Sequence, residues 1–167
     1  MDPRIAIWNT LHDGEITVVA LEGDTLVMFV SIPYIRERLS PLGDSFVLRL
    51  SGFRGFVLTD SDGKKKDSDL QEDLAKNGIE ILSAKSEVMP VKIATTMGYL
   101  ILDFDSIEIA LDAGRVVAYE EIYQACSDYW EEWSAKAKEA QKKPPNQAPE
   151  PTPTTVTPPA GQEARQP

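Results

Sequence analysis

Between Glu15 and Leu111 the chain is cut by turn residues into short apolar runs, and that punctuation constrains the fold more than any other feature. Ile16, Val18 and Ala20 alternate with Thr17, Val19 and Leu21, the period-two pattern of a β-branched strand. Glu22-Gly23-Asp24 reads as a hairpin tip. The run Thr25 to Ile32 that follows is apolar on both faces, as in a central covered strand. Pro33 ends it, because proline cannot donate to a ladder, and a loop containing Tyr34, Arg36 and Arg38 is expected there. Further strands are expected around Phe46, Leu48 and Leu50, over Phe53–Thr59, Ile79–Ala84, Val91–Thr96, Tyr99–Phe104 and Ile107–Leu111. Asp60-Ser61-Asp62-Gly63 is a hairpin tip, and its spacing fails the EF-hand loop, which needs glycine at position six.

Helical signals lie mainly at the ends. Trp8 and Leu11 mark one short turn before His12-Asp13-Gly14. Ser68 with Gln71 fits a capping box opening a short helix over Leu70, Leu74 and Ala75. The clearest element is the last. Ile122, Ala125, Cys126, Tyr129, Trp130, Trp133 and Ala137 recur at helical spacing opposite an acidic face, predicting one amphipathic helix over about Tyr119–Ala140. Trp130 and Trp133 are expected mostly in the core, and Glu132 is set to pair with Lys136. The expected fold is α+β: about eight short, mostly antiparallel strands with a long C-terminal helix laid on them.

Composition divides the chain at about residue 142. Eight of the 12 prolines lie from Pro144 onward among Thr, Ala, Gln and Gly. Such a segment cannot offset its ordering entropy, so residues 1–142 are expected to form one domain and 143–167 a disordered tail. The tail from Pro144 carries net −1 of the chain's −10, so the acidity belongs to the domain. That balance argues against a nucleic-acid binder and against docking on anionic lipid. No secretory signal and no apolar run of spanning length is evident, which together with a lone cysteine, Cys126, reads as cytoplasmic.

Chemistry-bearing groups are few. His12 is the one imidazole, and Asp13 beside it would point away if the chain there were extended, leaving His12 a turn residue. Asp103 and Asp105, two apart on a strand, share a face with Leu102 and Phe104 opposite. They form the best carboxylate pair for a Mg²⁺ or Ca²⁺ or for divided acid and base roles, against a charged strand edge that blocks aggregation. Tyr34 with Arg36 and Arg38 is the compact basic and aromatic spot, able to grip a carboxylate or phosphate, or else a solvated loop with local ion pairs. Cys126, on the apolar helix face, reads as a small core residue. No GxSxG elbow and no phosphate-binding glycine motif occurs. No cofactor, metal or catalytic set is therefore expected. Candidate binding residues are His12, Asp13, Tyr34, Arg36, Asp103 and Asp105.

Taken together, Trp8, Leu11-His12-Asp13-Gly14-Glu15-Ile16, Ile32-Pro33-Tyr34-Ile35-Arg36-Glu37 and Tyr129-Trp130-Glu131-Glu132-Trp133 resemble a family of small uncharacterised bacterial proteins. The HDGxI opening is also similar to that of some immunity proteins encoded beside polymorphic toxins. That resemblance implies neutralisation of a partner by binding and supplies no catalytic residue. The stretch Asn146 to Thr152 looks like gene-cassette read-through. The expected function is a non-enzymatic protein-interaction domain meeting a basic partner through an acidic surface. The alternative is a metal-assisted hydrolase or small-ligand enzyme using Asp103 and Asp105. Composition carries no signal for oligomeric state.

Overall fold

The structure, a computed structural model, describes residues 2–65 and 78–142. The expected capping-box helix and the proline-rich tail lie outside those residues. Three helices and eight strands are described: α1 (Pro3–Thr10), β1 (Glu15–Glu22), β2 (Thr25–Ser31), α2 (Pro33–Leu39), β3 (Ser45–Ser51), β4 (Gly55–Thr59), β5 (Ile79–Ala84), β6 (Val91–Thr95), β7 (Gly98–Asp103), β8 (Ser106–Leu111) and α3 (Tyr119–Lys142). The strands form one antiparallel sheet in the order β4-β7-β6-β5-β1-β2-β3-β8. The class is α+β, with the long C-terminal helix packed on the sheet.

The two ends of that sheet are joined. Segments 45–59 and 98–111 run antiparallel along their whole length, Ser51 opposite Ser106 on one side and Gly55 opposite Asp103 on the other. Between these ladders the bend is stitched by Asp105 N–H to Ser51 O and Arg54 N–H to Asp103 O, both 2.9 Å. Pairing therefore closes on itself around a single core that includes Ile16, Met28, Phe46, Leu48, Ile81 and Leu102, all fully buried. Closure leaves few free edge groups to template other chains.

Local chemistry explains the helices. Asp2 caps α1, its carboxylate accepting from Arg4 N–H at 2.9 Å, and Pro3 occupies a first-turn position where no donor is lost. The Asp2-Pro3 start makes α1 eight residues long, where Trp8 and Leu11 alone suggested one turn. Pro33 acts likewise. It ends β2, and it also opens α2, so the expected loop carrying Tyr34 and Arg36 is a helix. A proline's fixed φ suits a helix start as well as a strand stop, and the following Tyr-Ile-Arg-Glu-Arg-Leu favours helix.

Two packing details depart from the sequence pattern. A bulge between Ile16 and Val18 shifts the register of β1, so Ile16 and Val19 are buried while Val18 faces solvent. In α3, Ile122 and Ala125 enter the core, and Tyr119, Cys126 and Tyr129 pack against it. The same stripe then outruns the body: Trp130 is 39% and Trp133 55% exposed, so neither tryptophan belongs to the core. Glu132 is held by Arg38 of α2 through bonds of 3.0 and 2.7 Å, and the expected attraction to Lys136, one turn along, acts on the same carboxylate as a weaker addition.

Candidate functional site

α1 stops at Leu11, whose N–H still bonds Ile7 O, and the chain turns through His12-Asp13-Gly14 into β1. Asp13 N–H donates to Ile81 O and Ile81 N–H to Gly14 O, both 2.9 Å, so the turn is sewn to β5. Asp13 adopts φ +65°, a left-handed conformation that aspartate tolerates better than most side chains. That conformation overturns the expectation that Asp13 points away from His12. Asp13 Oδ1 lies 3.0 Å from His12 Nε2, and His12 Nδ1 lies 2.5 Å from Leu82 O. The imidazole is thus held between a carboxylate and a backbone carbonyl, with about half its surface open.

Tyr34 joins the same cluster. Its hydroxyl donates to His12 O at 3.3 Å, and its ring lies 4.5 Å from that of Tyr129 and 6.5 Å, edge-on, from Trp130. Burial, then the negative charge of Asp13, pushes its phenol up to about 12. Three of the six candidate residues, His12, Asp13 and Tyr34, therefore meet at the α1–β1 turn. A groove of about 460 Å³ opens beside them between α1 and α3, walled by Tyr119, Tyr123, Cys126 and Trp130. Cys126 is half-buried, and desolvation raises its thiol above the ordinary value, consistent with a packing role.

The other three candidates lie elsewhere. Arg36 is fully buried, which corrects the reading of a solvated loop. Its guanidinium reaches Asp112 Oδ1 at 2.5 Å and three backbone carbonyls, those of Ser40, Leu42 and Ser45. Burial opposes ionisation of Asp112. The N–H groups of Asp44 and Ser45 and the Arg36 guanidinium outweigh it and hold the carboxyl below its ordinary value. Gly43 stands against this carboxylate at φ +95°, where a Cβ would collide with both Asp112 oxygens. The unit ties α2 and the loop after it to the end of β8, a structural role.

Asp103 ends β7 and Asp105 lies in the bend before β8, so the two do not share a strand face as expected, and it is Arg54 that brings their carboxylates together. Both bind Arg54, at 2.6 Å each, so a guanidinium lies where a shared cation would sit. Arg54 donates hydrogen bonds to Asp103 and holds its carboxyl pKa below the usual value. Arg4, at the start of α1, donates to Asp105 O at 2.9 Å, whereas His12 lies just past the end of that helix. The six helical residues 5–10, about 9 Å of rise, intervene between them. Among the described residues no cluster of three or more metal-ligating side chains occurs, and no helix is long and apolar enough to cross a membrane.

Sequence reasoning missed Glu15 and Glu80. They line a second hollow with Asp13, Gly78 and Thr96. Only the pairing of β1 with β5 brings residues 15 and 80 together, so no local signal marks them. Comparison with family models, curated proteins and solved structures finds no match to this chain.

Proposed function

We propose that the chain is a non-enzymatic protein-interaction domain that neutralises a basic partner in the cytoplasm, in the manner of the immunity proteins its His12-Asp13-Gly14 opening resembles. One observation carries the reading. Each of the six described arginines, Arg4, Arg36, Arg38, Arg49, Arg54 and Arg115, is already ion-paired with a carboxylate of the chain itself. Exposed acids such as Glu15 and Glu37 have no such partner among the described residues, so an approaching protein meets negative charge there that the arginines do not offset. A net charge of −10 steers basic proteins toward this surface and disfavours acidic ones.

Affinity capture from the source cell, at low and at raised salt, tests this. The expected result is a basic protein retained at low salt and released as salt screens the contact. Recovery of no salt-sensitive protein overturns it.

A further inference from the structure

Two hollows adjoin at the His12–Asp13 turn. His12 lines the apolar groove between α1 and α3, about 460 Å³, and Asp13 lines the acidic hollow beyond it, about 500 Å³. The 3.0 Å contact between the two side chains forms the ridge that separates them. The acidic hollow is assembled against its own electrostatics. Glu15 and Glu80 are direct cross-strand partners on β1 and β5, a position where like charges repel. Among the described residues neither carboxylate has a cationic partner. Gly78, at φ +62°, leaves the space that Glu15 occupies, since a Cβ there would collide with Glu15 Oε1. Next door, Tyr123 at 56% and Trp130 at 39% exposure offer large apolar faces to solvent. Aromatic anchors beside charged rims are what protein interfaces use for affinity and selection respectively.

We propose that these hollows together receive one cationic peptide segment of a protein partner. An aliphatic or aromatic side chain seats in the α1–α3 groove, and a lysine or arginine two positions along lies against Asp13, Glu15 and Glu80. Side chains two apart on an extended segment are about 7 Å from each other, the reach needed to step over one ridge. The groove alone would accept any apolar side chain. The neighbouring carboxylates supply the choice, attracting a cation and repelling an acidic segment. This rests on the reading of a domain that binds a basic partner, and narrows it to one surface.

The test titrates the full chain calorimetrically with a 12-residue acetylated peptide of three Leu-Ser-Lys-Ser repeats, which places a lysine two positions after each leucine, and with its Leu-Ser-Glu-Ser counterpart. The lysine peptide is expected to bind and the glutamate peptide not to. Glu15→Gln with Glu80→Gln weakens binding about tenfold or more, as does Trp130→Ala, while Glu108→Gln, three strands away from β1, changes it less than about twofold. The double variant should also melt about 1–3 °C higher, because repulsion across the sheet is relieved. Unchanged affinity in the double variant, or equal binding of the two peptides, overturns this site. If Glu108→Gln takes the loss instead, the site fails while the broader acidic-surface reading stands.

Discussion

Asp13 and Asp112 show how much a single carboxylate can organise. Asp13 holds a left-handed turn and touches His12 at once. Asp13→Gly keeps that turn and removes the carboxylate with its contact to His12, whereas Asp13→Val forces a β-branched side chain into φ +65° and destabilises by about 1–2 kcal/mol, measured by denaturant unfolding. Asp112 compensates the fully buried Arg36. Asp112→Ala leaves that cation unpaired and costs about 3 kcal/mol, the low end for a buried pair because the carboxylate itself is 21% exposed. Its lowered pKa also has a pH signature. Below the ordinary value of 3.8 the unfolded chain takes up the proton while the native carboxylate still resists it. The unfolded state then binds more protons, and stability falls as pH drops through the native value. Asp112→Asn should flatten that acid limb. His12, Asp13 and Tyr34 were legible as candidates from residue type alone. Their convergence was not, because it depends on one left-handed residue that an aspartate permits but does not announce.

At the scale of elements, the strands were legible because each is short, β-branched and bounded by turn residues. The exceptions have specific causes. Pro33 carries two meanings, strand stop and helix start, and only the second places Arg36 inside the protein. The bulge at Ile16/Val18 inserts a residue that alternation cannot reveal. In α3 the apolar stripe was correctly read, but its length exceeds the surface available to cover it. Periodicity reports which face is apolar and is silent on what meets it. Trp8 and Trp133 give a direct contrast. Trp8 is fully buried, with its indole N–H bonded to Arg4 O at 2.9 Å. Trp8→Ala is expected to cost about 3–5 kcal/mol, and Trp133→Ala, at an exposed site, within about 0.5 kcal/mol. Equal losses in thermal melts would mean that α3 is covered along its whole length.

At the scale of the molecule, a closed pairing pattern, the three helices of the described residues and a surplus of carboxylates define a body whose chemistry faces outward. Its six described arginines are spent on internal pairs, two of them, Arg36 and Arg54, at the joints that hold loops and the strand bend in place. The acids lining the hollow beside His12 are not engaged in that way. The α+β class followed from strand punctuation and one helical stripe. The ring-like joining of the sheet's ends did not, since residues 51 and 106 carry no mark of being neighbours.

The most direct measurement is the affinity of the captured basic partner across a salt series, for the native chain and for Asp13→Asn combined with Glu15→Gln and Glu80→Gln. The account predicts that native affinity falls steeply with salt and that the triple variant is weaker with a shallower slope. A salt-independent affinity, equal in both proteins, would contradict it.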